Sequence, residues 1–272
     1  MLDLTKCVAV ITGGASGIAR AVARQLGREG VRAIGVVDFS DAVTGVCTEI
    51  NAELGRECLI PYRGDVTDKA FRASVFADLK TRFGGVHICV PAAGIVRDGL
   101  AVKVDKATGA AKLYDQDLME KTIAVNLIGA SYWAMETIAS VAEQRAAKGK
   151  NGWKGGEEVT GAIVFIGSIS SEGNKGQVAY AATKAGLAGV TATLAKEAIY
   201  YGVRVGIVHP GFTDTPMVRA MDQKIIQEHV LPRTQLGRLL KAEEVADAIC
   251  FMIRNPAVSG ALWADAGWHP PS

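Results

Sequence analysis

Tyr180 and Lys184 stand four residues apart in the run Tyr180-Ala-Ala-Thr-Lys184. On a helix that spacing puts both side chains on one face, a turn apart. A free phenol has a pKa near 10, too high for an efficient base at neutral pH. A neighbouring ammonium favours the phenolate and brings that value down. The pair therefore suits general acid–base work on the oxygen of an alcohol or ketone. Alone it is a common surface pattern. Ser168 adds to it, because it follows the apolar run 162–167, at the carboxyl end of a candidate strand. Open α/β sheets bind ligands at that edge. The Ser168 hydroxyl could hold a substrate oxygen there, or it could cap a loop that also contains Ser170 and Ser171.

A second constellation suits phosphate. The first apolar run ends in Thr12-Gly13-Gly14-Ala15-Ser16-Gly17-Ile18-Ala19, ahead of a helical pattern. Backbone N–H groups of a glycine-rich turn at a helix N-terminus form a seat for a pyrophosphate. Gly13 permits the turn, Gly17 allows close approach, and Ala19 is small enough for tight helix–strand packing. Asp38 closes the second apolar run, about twenty residues past that turn, where a carboxylate can bond both ribose hydroxyls of NAD. The same charge repels a 2′-phosphate. Phe39 and Ser40 follow it and Ser16 precedes Gly17, so no Arg or Lys at these positions favours NADP. The expected cofactor is NAD. Asp38 could instead cap the next helix, a role open to Ser40 or Asp41 as well.

These groups need a frame. Apolar runs at 7–12, 33–38, 58–64, 86–91, 162–167, 203–209 and 261–264 alternate with longer helical patterns. They are continuous rather than alternating, as strands buried on both faces are. The rhythm predicts an α/β fold: a doubly wound, parallel, seven-stranded, Rossmann-like sheet with helices on both faces, three layers in all. Residues 1–272 read as a single dinucleotide-binding domain. Two stretches interrupt the rhythm. Residues 97–118 are polar and longer than an ordinary loop, and residues 146–161, rich in Gly and Lys, are expected to form a mobile surface loop.

Bulk properties narrow the partners. A net charge of +2 without a dense basic cluster argues against nucleic acid. No run of about 18 apolar residues argues for a membrane span. The beginning, MLDLTKC, shows no leader pattern, so a cytoplasmic protein is expected. Cys7, Cys47, Cys58, Cys89 and Cys250 include no C-x-x-C pair and mostly sit in apolar surroundings, as buried reduced thiols do. His87, His209, His229 and His269 show no ligand spacing, so no metal is expected.

Taken in order, TGGASGIA, Asp38, Gly64-Asp65-Val66, Ala92-Ala93-Gly94, Val125-Asn126-Leu127-Ile128-Gly129, Ser168, Tyr180-x-x-x-Lys184 and Pro210-Gly211 run along nearly the whole chain. In these the chain resembles the single-domain branch of the short-chain dehydrogenase/reductase family. The resemblance implies an enzyme that interconverts a secondary alcohol and a ketone by hydride transfer. It implies that Tyr180 exchanges a proton with the substrate oxygen, Lys184 lowers the Tyr180 pKa and holds the nicotinamide ribose, and Ser168 orients the carbonyl. Asn126 would position a water in a proton relay. Cofactor contacts would come from Gly13, Ser16, Gly17, Ile18, Asp38, Phe39, Asp65, Val66, Ala92, Gly94, Tyr180, Lys184, Pro210, Gly211, Thr213 and Thr215. The family's usual Asn-Asn-Ala-Gly is here Pro91-Ala92-Ala93-Gly94, so the strand-to-strand bonds of both Asn side chains must be replaced.

Within that family the polar insertion, Gly176-Gln177 and the ending Arg254-Asn255-Pro256-Ala257-Val258-Ser259-Gly260 resemble the branch of type II 3-hydroxyacyl-CoA dehydrogenase, also a type 10 17β-hydroxysteroid dehydrogenase. A 3-hydroxyacyl-CoA-type substrate is expected, touched by Ser168, Gln177 and Tyr180. The alternatives are a 3-oxoacyl thioester (acyl carrier protein) reductase, a dehydrogenase of another secondary or alicyclic alcohol, and, in a different class, a non-catalytic NAD-binding sensor. Residues 212–236, with Met217, Met221, Ile225 and Ile226, are expected to form a lid over the substrate. The Tyr180 helix, expected over 178–201, is apolar nearly all round. Such a helix needs cover on several sides. A homo-oligomer, a tetramer or dimer, with this helix and 120–144 at an interface, is therefore expected.

Overall fold

A computed structural model describes residues 1–150 and 152–268; Asn151 and His269 lie outside the described residues. Nine strands are described: β1 Val8–Thr12, β2 Ala33–Asp38, β3 Leu59–Arg63, β4 Ile88–Pro91, β5 Val102–Val104, β6 Ala111–Leu113, β7 Gly161–Ile166, β8 Val203–Pro210 and β9 Gly260–Ala264. Seven of them form one parallel sheet in the order β3-β2-β1-β4-β7-β8-β9. The expected runs all become its strands, with boundaries shifted by a residue or two. The strand order reverses between β1 and β4, the crevice where open α/β sheets take ligands.

The apolar runs are continuous because each strand feeds two cores. Along β1, Val8 and Val10 enter one cluster with Phe76, Trp133, Phe165 and Leu187. Ala9 and Ile11 enter the other with Leu26, Ile34, Ile50 and Ile249. Helices α1 (Gly17–Arg28), α2 (Ala42–Leu54) and α9 (Ala242–Arg254) cover the second face. Helices α3 (Lys69–Phe83), α5 (Ala130–Ala147) and α6 (Val178–Ala198) cover the first. This is the expected three-layer, Rossmann-like α/β fold.

The polar insertion is an element in its own right. β5 and β6 pair antiparallel in a separate hairpin, Val102 opposite Leu113 and Lys103 opposite Lys112, with every residue of both strands exposed. It leads into α4 (Gln116–Ile123), whose end winds into a π-helical stretch over Ala124–Gly129 before α5 begins. The stretch 146–161 is tied down where it is described: Arg145 donates to the Gly152 carbonyl and to Glu157, and the Trp153 N–H donates to the Tyr200 carbonyl. Residues 212–236 are no single helix. They break into α7 (Pro216–Arg219), α8 (Gln223–Ile225), a π-helical turn at Ile226–Val230 and a 3-10 turn at Leu231–Arg233.

Candidate active site

The site lies along the carboxyl ends of the parallel strands. At the end of β1, Gly13 has φ +74°, and a Cβ there would stand 2.9 Å from the Ala93 Cα. Gly17, at φ +57°, opens α1 against Thr215, whose Cγ2 would be 3.1 Å from an added Cβ. Only glycine takes these backbone conformations freely. The result is a bare backbone cradle between β1, β4 and the segment after β8. Ser16 precedes α1 at its N-cap, and Ile18 lies in its first turn. At the end of β2 the Asp38 carboxylate accepts from the Ala15 N–H and the Ser40 N–H, both at 2.9 Å. Asp38 thus braces the turn while facing the same crevice. The cap of α2 falls to Ser40, whose Oγ accepts from the Ala42 N–H. Phe39 beside it is largely exposed.

Beyond the end of β3, Asp65 accepts from the backbone and hydroxyl of Thr67. Val66 is fixed by a residue that sequence reasoning missed: the buried Trp133 indole N–H donates to the Val66 carbonyl at 3.0 Å. At the end of β4, where the Asn pair is absent, Thr12 Oγ1 accepts from the Ala93 N–H at 3.0 Å. Ala92 and Gly94 remain as backbone along the cleft. Pro210 ends β8, and Gly211 runs so close to Asp265 that a Cβ would meet its carbonyl oxygen at 2.6 Å. Thr213 is buried and donates to the Gly211 carbonyl. These surfaces fit an extended dinucleotide: a glycine cradle, a carboxylate at the end of β2 and a backbone-lined cleft.

At the end of β7 the chemistry-bearing groups converge. Ser168 is buried and caps a 3-10 turn, Ile169–Glu172, its Oγ accepting from the Ser170 N–H at 3.0 Å. The capping reading of Ser168 is therefore realised. The backbone uses one of its two lone pairs, and its own proton can still be donated. Burial pushes the Tyr180 phenol up to about 12; a hydrogen bond from Ser168 opposes this and the Asp98 charge adds to it. Lys184 is buried and donates to the Ile166 carbonyl at 2.7 Å, with Nζ 5.5 Å from the centre of the Tyr180 ring. Burial lowers its pKa to about 8. Desolvation thus sets the direction of the Tyr180 shift, opposite to the lowering expected from Lys184. Asn126 sits in the π-helical stretch and clamps one residue, accepting from the Ile95 N–H and donating to the Ile95 carbonyl, both at 2.8 Å. Its NH2 also reaches Thr183 Oγ1 at 3.4 Å.

Two further side chains belong here. Gln177 is already engaged, by Ser170, Asn174 and Asp98. His209, buried at the end of β8, brings Nδ1 within 3.1 Å of Ser171 Oγ and 3.2 Å of the Ser168 carbonyl, while its ring stacks on Trp263 at 4.3 Å. Burial lowers its pKa. It is part of the wall behind Ser168. In the broken segment 212–236, Ile226 is buried whereas Met217 and Ile225 stay exposed.

Among the described residues no group of three His, Cys, Asp or Glu could hold a metal ion, and no helix is long and apolar enough to cross a membrane. A family described as enoyl-(acyl carrier protein) reductase matches residues 13–269. The chain is 31% identical to a rat 3-oxoacyl-(acyl-carrier-protein) reductase over 96% of its length and 97% of the relative's. It is 32% identical to an Escherichia coli 3-oxoacyl-(acyl-carrier-protein) reductase over 92% and 91%. A Xenopus laevis carbonyl reductase family member 4 is 29% identical over 96% and 97%. With the fold, the glycine cradle and the Ser168, Tyr180 and Lys184 cluster in place, the chain belongs to the short-chain dehydrogenase/reductase family, oxidoreductases that act on CH–OH groups with a nicotinamide cofactor.

Proposed function

We propose that the protein reduces the 3-oxo group of an acyl thioester to a 3-hydroxyl, with NADH as reductant. The observation that carries this is the convergence of the buried Ser168 and Lys184 with the half-buried Tyr180 at the end of β7. Two hydroxyl donors suit a carbonyl oxygen that gathers negative charge. They suit a carbon–carbon double bond less, because its proton must arrive at carbon. A bound reduced nicotinamide supplies hydride to the carbonyl carbon. Ser168 donates a hydrogen bond to the oxygen, and Tyr180 transfers its phenolic proton to that oxygen as the charge develops. Lys184 stabilises the phenolate left behind. Asn126 keeps residue 95 and the Tyr180 helix in register. A 3-hydroxyacyl-CoA dehydrogenase would run the same steps backwards. The names of the relatives favour the reductive, thioester reading over it.

NAD(H) follows from Asp38, whose carboxylate closes β2 and is held in place by the Ala15 and Ser40 N–H groups. A 2′-phosphate would meet this charge with no Lys or Arg at Ala15, Ser16, Phe39 or Ser40 to offset it. Five buried free thiols suit the reducing cytoplasm.

The test is NADH oxidation with 3-oxoacyl thioesters of four to eight carbons. We expect turnover by the wild type and a loss of about 10³-fold in kcat for Tyr180→Phe, with NADH affinity unchanged. Equal rates for the variant would remove Tyr180 from the mechanism. NADH binding without turnover of any thioester, ketone or alcohol would favour a non-catalytic sensor. Fluorescence titration should give at least about 10-fold weaker binding of NADPH than of NADH, and Asp38→Ala should narrow that gap.

A further inference from the structure

Ser168 is held by a chain of hydrogen bonds that begins in the insertion, far from it in sequence. Both Asp98 carboxylate oxygens accept from the Gln177 NH2, each at 3.2 Å. The Gln177 carbonyl oxygen accepts from Ser170 Oγ at 2.9 Å and from the Asn174 NH2 at 3.0 Å. The Ser170 N–H then donates to Ser168 Oγ at 3.0 Å. The amide has one orientation that satisfies this set, because turning it over would set its carbonyl oxygen against a carboxylate. Asp98 therefore fixes which end of Gln177 faces Ser170.

The hairpin fixes Asp98 in turn. Gly99 pairs with Gln177 in an isolated bridge, and its N–H donates to the Gly176 carbonyl at 2.8 Å. The Tyr114 ring lies where a Gly99 Cβ would be only 3.0 Å away, and its hydroxyl donates to the Arg97 carbonyl at 2.5 Å. The base of the insertion is thus stapled on both sides of Asp98. We propose that Asp98 is a positioning residue for Ser168, acting through Gln177 and Ser170, and that the β5–β6 insertion serves to hold it. This rests on the reading of Ser168 as the group that donates to the substrate oxygen. It also reassigns Gln177, which the sequence pointed to as a substrate contact, to the support of Ser168.

Steady-state kinetics with acetoacetyl thioester and NADH tests this. Asp98→Ala should lower kcat about 10-fold with KM changed less than about 2-fold, since a misplaced donor fails mainly in the transition state. Asp98→Asn keeps an acceptor for the Gln177 NH2 and should stay within about 2-fold of wild type. In a Ser168→Ala background, Asp98→Ala should have no further effect on the residual rate. An undiminished loss in that background, a change confined to KM, or an Asn variant as slow as the Ala variant would overturn the proposal. Lack of turnover by the wild type would count against the thioester reading alone. The chain of bonds is then read by NMR amide exchange of Ser170, expected to quicken at least about 10-fold in Asp98→Ala; unchanged exchange would overturn it.

Discussion

Lys184 is a buried cation whose one polar contact among the described hydrogen bonds is the Ile166 carbonyl, and its pKa falls to about 8 because burial disfavours the ammonium. The unfolded chain holds the same lysine near its ordinary value of about 10.4. Below pH 8 the group is charged in both states and the fold carries the full desolvation cost. Between about pH 8 and 10.4 the unfolded state binds more protons, so this cost is relieved and stability rises with pH. We expect the denaturation midpoint of the free protein to contain a component rising by roughly 1–3 kcal/mol across that window, absent in Lys184→Met. Identical pH slopes for wild type and variant would show that Lys184 titrates freely. The same scale shows what was legible. Tyr180, Lys184, Ser168 and Asp38 are residue types at local spacings, and each stands at a strand end or on a helix face as expected. Asp98, Trp133 and His209 work through contacts with partners 79, 67 and 41 residues away, and no local pattern marks such pairs.

Strands and helices were readable because a doubly covered sheet imposes continuous apolar runs, and every such run became a strand. What escaped were elements without an apolar signature: the exposed β5–β6 hairpin, the π-helical stretch that carries Asn126, and the breaks in 212–236. The join between β7 and β8 shows how element geometry bears on the site. A Cβ on Gly167 would lie 2.4 Å from the His209 Nδ1, inside the ring that Trp263 stacks against. Gly167 is small so that the imidazole can pass beneath Ser168. Gly167→Ala should therefore destabilise the fold by about 1–3 kcal/mol and slow turnover, since Ser168 follows directly. His209→Ala should cost stability through the cavity it leaves. Because the new methyl enters the space the ring vacates, the double variant should be less destabilised than the two single effects together, by at least about 1 kcal/mol. Urea denaturation of the four proteins measures this, and strict additivity would show that the ring does not dictate the glycine.

At the scale of the whole molecule, two surfaces are left uncovered by the single chain. On α6 the residues Val178, Ala182, Ala185, Ala188 and Ala192 point outward, and Ile128, Tyr132 and Met135 are exposed in and beside α5. The helix that carries Tyr180 and Lys184 thus has one side in the core and a flat, small-residue side facing solvent. A second surface lies at the open edge of the sheet, where β9 has a free side and Trp263 and Phe251 are exposed. An unprotected edge strand beside apolar side chains is a liability unless something covers it. Two distinct patches, each pairing with its own copy about a two-fold axis, would generate a closed tetramer. We therefore expect light scattering at micromolar concentration to give a four-chain particle. Ala188→Arg should block the helical interface and Phe251→Arg the edge interface, each leaving dimers and the pair together leaving monomers. Because α6 seats Tyr180 and Lys184, the Ala188→Arg dimer should also lose thermal stability and activity together, whereas the Phe251→Arg dimer should keep more of its rate. A wild-type monomer, or tetramers surviving both substitutions, would mean that these faces are merely solvated and that the apolar outer side of α6 has another cause.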